Sequence, residues 1–370
     1  MRIAIDALPL LGGMGISTYL IETFKKMLTY DDNFYDLYFR ISIRNKKIDL
    51  SYLNVKNFSI NKIRIPNRIL EYFWTFNRKK FPFKVFKKAD IFWSTMYFVP
   101  DVDYPIVSTL FDITPLKVDG YVRVREDFCR RWRNIVMYSK YIITISENSK
   151  KDICEYFALK PERVFVTYLG ASDIYRPIDK YVVRNFLIKN YGIDYDYILY
   201  VGNMGPHKNL VNLVRAFNIV KDKFDIKLIL SGKVTHGKDV IDEVNNLKLD
   251  KLVKFLGYVP VMHLPYLYNG AKLFVFPSRY EGFGLPVLEA MKCGVPVITS
   301  NVSALPEVGG DAALYVDPYD IESIANAILK VLQSDELKKE LSKKSIERAR
   351  LFRWDITAKK TLEVFKKAVL

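Results

Sequence analysis

Two glutamates and one lysine offer the clearest chemistry in this chain. Glu281 and Glu289 stand in the run LFVFPSRYEGFGLPVLEAMKCGVPVITS, residues 273–300, with seven residues between them. An ionised carboxylate accepts hydrogen bonds from two adjacent hydroxyls. Lys208 ends the segment Tyr200-Val201-Gly202-Asn203-Met204-Gly205-Pro206-His207-Lys208. A cation set behind glycines that admit close backbone approach suits a phosphate.

The surrounding elements must bring these groups together. Leu273–Phe276 is a continuous apolar run and reads as a buried parallel strand. A glycine-lined loop then enters a helix over Leu285–Met291, with Pro286 in its first turn, where a missing N–H does no harm. Gly294 fits the helix stop and Val295–Thr299 the next strand. A helix N-terminus carries unpaired N–H groups and partial positive charge, so the loop Gly282, Phe283, Gly284 and Leu285 at its mouth suits a phosphate. Tyr197–Val201 reads as a strand too, which sets Lys208 at the mouth of a helix over Asn209–Val220. The lysine loop is not a P-loop, because His207 stands where glycine is required and Asn209 where serine or threonine is. In isolation the two glutamates also fit a surface loop and a helix-dipole partner, and Lys208 a solvated turn residue.

Weaker signals lie in the first half. Leu11-Gly12-Gly13-Met14-Gly15-Ile16-Ser17 follows the strand Ile3–Ala7 and opens a helix over Ser17–Leu28. It is not GxGxxG, since position 18 is threonine, and a plain tight turn is the other reading. Asp112 follows the apolar run Ile106–Leu110, at the strand end where ligands bind in such sheets, and it also suits a turn cap. Asp101 and Asp103, and Asp194 and Asp196, form Asp-x-Asp pairs. A hard cation needs more oxygen ligands than a pair gives, and three histidines argue against zinc, so no metal is expected.

A chain of 370 residues, half of them apolar, is long for one core and comfortable for two domains. Strands alternate with helices throughout, which predicts doubly wound parallel sheets. Beside those named, the strand candidates are Asp36–Ile41, Asn57–Ile60, Ile91–Ser94, Tyr141–Ser146, Val164–Tyr168, Lys227–Ser231 and Val253–Leu256. Another helix is expected over Glu322–Leu332, and the series restarts after Asp173–Lys180. No apolar run approaches the roughly 20 residues of a membrane span, and Cys129, Cys154 and Cys293 read as reduced packing residues. The net charge of +16 points to anionic partners. Between Asn61 and Asp90 nine cations face two acids, with seven aromatics interleaved. That mixture suits an anionic membrane interface. A solvated helix with aromatics in the core is the plainer reading, and single-stranded nucleic acid the weakest.

Residues 273–310 resemble the Glu-x7-Glu signature of glycosyltransferase family 4, and 197–210 resemble that family's phosphate loop. The resemblance is looser near 12–19, 109–116 and 141–150. It implies the GT-B fold, two doubly wound Rossmann-like domains facing across a cleft. On that plan 1–178 would bind the acceptor and 179–352 the nucleotide sugar, with a C-terminal helix in 353–370 crossing back to the first domain.

The resemblance further implies a retaining, metal-independent hexosyltransferase that needs no cofactor beyond its nucleotide-sugar substrate. Lys208 and the helix at Leu285 would hold the leaving diphosphate, with Gly13, Gly15 and Gly202 approaching by backbone. Glu281 would face the hydroxyls of the transferred sugar, Glu289 would face the ribose, and Asp112 would orient the acceptor hydroxyl or take its proton. Two positions depart from the pattern. Asn203 replaces a common arginine, leaving His207 and Lys233 as substitute cations, and Phe111 replaces a histidine. The GNMGPHKN form favours mannose from guanosine diphosphate. The acceptor is expected to be a saccharide or lipid-linked glycan of the cell surface. The enzyme is expected in the cytoplasm, peripheral on the inner membrane face through 61–90, with no nucleic-acid partner. The competing readings are an epimerase or phosphorylase of the same fold and a non-catalytic nucleotide-sugar binder.

Overall fold

A computed structural model of the chain describes residues 1–12, 15–30, 32–40, 48, 50–53, 57–66, 69–70, 72–73, 85–118, 122–233 and 237–370. The chain divides into two units. The first comprises Met1–Pro115, Tyr121–Leu169 and Arg353–Leu370, and the second Leu116–Gly120 and Gly170–Phe352.

The first unit holds strands β1 Arg2–Asp6, β2 Phe34–Arg40, β3 Phe58–Ile63, β4 Ile91–Ser94, β5 Ile106–Thr109, β6 Tyr141–Thr144 and β7 Val164–Val166. They form a parallel sheet in the order β3-β2-β1-β4-β5-β6-β7. The helices Ile16–Tyr30 and Trp354–Val369 pack on this sheet, with Trp93 against Phe365 at 5.4 Å and Tyr19 against Trp354 at 6.4 Å. This aromatic packing makes the C-terminal helix part of the first unit.

The second unit holds β8 Tyr197–Val201, β9 Lys227–Ser231, β10 Val253–Gly257, β11 Leu273–Phe276, β12 Val297–Ser300 and β13 Ala313–Val316. Its parallel order is β10-β9-β8-β11-β12-β13. Every residue of β8, β11 and β12 is buried, as expected of strands covered by helices on both faces. Full burial of a side chain such as Phe276 contributes about 1.5–3 kcal/mol. Sequence order reverses between β8 and β11, the position in such sheets beside whose carboxyl ends ligands bind. Lys208 and Glu281 lie on the loops leaving those two strands.

Three sequence expectations shift. The division between units falls after Leu169, earlier than residue 178. The reason is packing: Lys292 donates to the Ala171 carbonyl and to Asp173, and Ile178 N–H donates to Asn269. The last site strand starts at Val297 and not Val295. Val295 N–H still closes the preceding helix on the Ala290 carbonyl, and Pro296 has no N–H for the ladder. β13, Ala313–Val316, was not expected from the sequence and forms the sheet's edge.

Candidate active site

Lys208 Nζ donates to Glu281 Oε1 at 2.6 Å, and the two side chains are only 11% and 12% exposed. The ammonium also lies over the Phe276 ring, 5.1 Å from its centroid. Local chain chemistry makes this meeting. After β8 the backbone turns at Gly202, φ 156°, and after β9 at Gly232, φ 146°. A Cβ on Gly232 would stand 1.8 Å from the Gly202 carbonyl oxygen, so only glycine allows these loops to touch. Pro206–Lys208 then form a 3₁₀ turn, and Asn209 enters the next helix at φ 61°, a conformation asparagine tolerates.

Asn209 ties the two loops together. Its side-chain amide donates to the Pro277 carbonyl at 3.1 Å and the Pro318 carbonyl at 2.6 Å. The Arg279 N–H donates to the His207 carbonyl at 2.8 Å. Lys208 and Glu281 are thus fixed by backbone bonds on both flanks.

A third loop holds Glu281 itself. The Glu281 N–H donates to Ser303 Oγ at 3.0 Å, and Ser303 adopts φ 56° without being glycine. Such a backbone costs about 1–3 kcal/mol and marks functional sites. Ser303 escaped the sequence reading. The only signal available was a polar residue two positions before the Leu305–Gly309 helix.

Gly284 takes φ 105° and starts the helix Leu285–Lys292, so the first backbone donors of that helix open beside the Glu281 loop. Gly282 and Phe283 are buried there, and Phe283 packs edge-on against Phe352 at 5.8 Å. Glu289 lies one turn into the helix. Its Oε2 accepts from the Tyr268 hydroxyl at 2.9 Å. Burial pushes the Glu289 carboxyl up to about 7, against the opposing pull of the Tyr268 and Tyr175 hydroxyls.

The two candidate substitute cations separate here. Burial, and then the Lys208 charge, push the His207 imidazole down to about 4, so it is neutral near pH 7. Lys233 follows Gly232 on the loop touching Gly202, is exposed, and stands 5.9 Å from the centre of the Tyr258 ring. Asn203 is exposed, and its carbonyl accepts from the Tyr200 hydroxyl at 2.8 Å.

The first unit's candidates stand apart from this cluster in the chain. Asp112 Oδ1 accepts from the Thr114 N–H at 2.8 Å, so the carboxylate caps the turn that starts there. Gly15 is exposed at φ 64°, and Gly13 lies outside the described residues. Asp196 pairs with Lys272 at 3.1 Å. Of the basic aromatic segment, Phe86 packs on Tyr38, Phe92 and Phe98, while Lys62, Arg64, Tyr72, Lys87 and Lys88 are exposed. Its stretch 74–84 lies outside the described residues. Among the described residues no helix is long and apolar enough to cross a membrane.

Residues 184–348 match the family Glycosyl transferases group 1. O-antigen chain mannosyltransferase B of Escherichia coli is 38% identical over 231 residues, 62% of this chain, and this chain spans 61% of that protein's length. The solved sucrose-phosphate synthase of Thermosynechococcus elongatus superposes with TM-score 0.78 over 99% of this chain and 98% of its own, at 21% identity. Anabaena HepE, solved with UDP-glucose, gives TM-score 0.74 over 99% of both chains at 15% identity. These likenesses span the whole chain and establish the GT-B fold. The match to the group 1 glycosyl transferases, residues 184–348, includes the paired Lys208 and Glu281 together with Glu289.

Proposed function

We propose that this chain transfers a hexosyl group, with retention, from a nucleotide sugar to a saccharide or lipid-linked acceptor in cell-surface glycan synthesis. The observation that carries the reading is the Lys208–Glu281 pair at the carboxyl ends of β8 and β11. Each charge neutralises the other in the pair. A bound donor supplies better partners for both: diphosphate oxygens for the ammonium and sugar hydroxyls for the carboxylate. The helix at Leu285 adds backbone donors to the diphosphate. Glu289 receives the ribose hydroxyls, and Lys233 supplies the charge that Asn203 lacks.

In the transfer the bond between the anomeric carbon and the leaving phosphate oxygen breaks, and the acceptor oxygen bonds to the same face. The acceptor proton passes to the leaving phosphate. Lys208 stabilises the charge that develops there, so no metal is required. Asp112 orients the acceptor hydroxyl, and the exposed cations of 61–90 hold the protein at an anionic membrane on its cytoplasmic side. The relative named as an O-antigen chain mannosyltransferase supports mannose as the transferred sugar, and the GNMGPHKN form favours guanosine diphosphate as its carrier. The test is thermal stabilisation by nucleotide sugars. A ligand at about 100 times its dissociation constant adds about 2.7 kcal/mol, so GDP-mannose should raise the melting temperature while UDP-glucose does not. Stabilisation by UDP-glucose alone would move the donor to a uridine nucleotide, and stabilisation by neither would remove the donor reading.

A further inference from the structure

We propose that Tyr268 and Tyr175 form a two-phenol clamp that positions the Glu289 carboxylate for the donor's ribose. The inference rests on the donor reading above and adds two positioning residues to it.

Tyr268 lies on the helix Leu264–Gly270 and is fully buried. Its hydroxyl donates to Glu289 Oε2 at 2.9 Å. Tyr175 sets its hydroxyl against the same carboxylate from the segment that opens the second unit. The two rings meet edge-on at 5.8 Å, and Tyr268 packs edge-on against Phe274 of β11 at 5.4 Å. Tyrosine has two stiff side-chain torsions, so a packed ring fixes its hydroxyl closely.

The segment bearing Tyr175 is itself pinned on two sides. Asn269, next to Tyr268, accepts from the Ile178 N–H at 2.9 Å and donates to the Arg176 carbonyl at 2.9 Å. Lys292, on the same helix as Glu289, donates to the Ala171 carbonyl at 2.9 Å and to Asp173 at 2.7 Å. Helix 264–270, helix 285–292 and segment 171–178 therefore converge on one carboxyl. If core filling were the whole role of these tyrosines, phenylalanine would serve. A buried carboxylate placed between two phenols needs their hydroxyls, because an unpaired buried charge is costly.

The arrangement divides the labour of the carboxyl. The phenols hold Glu289 in one rotamer and favour its ionised form, the form that accepts from ribose. The titratable groups set against it are Tyr175, Tyr268 and Cys293, with Lys292 beyond and engaged by Asp173.

The test uses the full chain and the variants Tyr268→Phe, Tyr175→Phe and their double. The Glu289 carboxyl is titrated by infrared difference, its band assigned by loss in Glu289→Gln. Loss of a phenol donor is expected to move the midpoint to higher pH, further in the double variant. Dissociation constants for GDP-mannose are expected to rise about tenfold in each single variant, the effect of one hydrogen bond to a charged group. An unmoved midpoint in all three variants would overturn the clamp. A moved midpoint with unchanged GDP-mannose affinity would overturn its positioning role. If the wild-type protein bound neither GDP-mannose nor UDP-glucose, the donor reading would fall, and the clamp would still be decided by the titration.

Discussion

Lys208 Nζ and Glu281 Oε1 lie 2.6 Å apart although they stand 73 positions apart in the chain. The contact joins the loops that leave β8 and β11, the two strands where the sheet order reverses. Replacing one partner leaves the other charge largely buried and unpaired, so Glu281→Gln and Lys208→Ala should each lower transfer about a hundredfold, the scale of one lost electrostatic contact. Each should also lose about 1–3 kcal/mol in urea unfolding. The double variant Lys208→Met with Glu281→Gln should regain that stability and none of the activity. A double variant as unstable as the singles would show that the pair is not the stabilising unit.

Ser303 gives a sharper separation of strain from function. Ser303→Ala removes the acceptor of the Glu281 N–H and should lower transfer about tenfold, the worth of one positioning hydrogen bond. Ser303→Gly removes the same hydroxyl but suits φ 56°, so it should match or exceed wild-type stability. Both variants should show the same loss of activity in steady-state assays. Full activity in the glycine variant would remove Ser303 from the site.

Acid and base act on this site in opposite directions. Glu289 folds with its carboxyl raised from 4.5 to about 7, so its contribution to stability is full below 4.5 and is lost as pH rises to about 7. His207 folds with its imidazole lowered from 6.5 to about 4, so its contribution is full above 6.5 and is lost as pH falls to about 4. The melting temperature of Glu289→Gln, relative to wild type, should therefore climb between pH 4.5 and 7. That of His207→Gln should climb as pH falls from 6.5 to 4. Flat differences in thermal scans across these windows would refute both assignments.

Transfer should survive excess EDTA. On the proposed reading Lys208 and the helix start at Leu285 supply the positive charge for the diphosphate, and Asp196 is engaged by Lys272 at 3.1 Å. Loss of activity with EDTA, restored by manganese or magnesium, would return a metal to the mechanism.

Much of this was legible in the residues. Leu273–Phe276 and Tyr197–Val201 are unbroken apolar runs bounded by glycine and proline, and both are strands with those bounds. Pro286 and Gly284 announced the helix start, because proline fits the first turn and only a Cβ-free residue takes φ 105° easily. What the sequence concealed was non-local. Edge strand β13, Ala313–Val316, has two half-buried residues and no long apolar run. Ser303 and Tyr268 act through partners more than 20 residues away, a relation no local pattern records. Val295 read as strand from its side chain, yet its N–H is used by the helix before it. The neutral state of His207 depends on burial beside Lys208, which appears only once the two loops are packed.

The central claim is retaining transfer from a nucleotide sugar at the Lys208–Glu281 site. The most direct measurement is proton NMR of the anomeric product formed from GDP-mannose and a mannoside acceptor, with wild type and Glu281→Gln run in parallel. The expected result is an α-linked product from the α-linked donor, formed about a hundredfold more slowly by the variant. A β-linked product, or equal rates from the two proteins, would contradict the account.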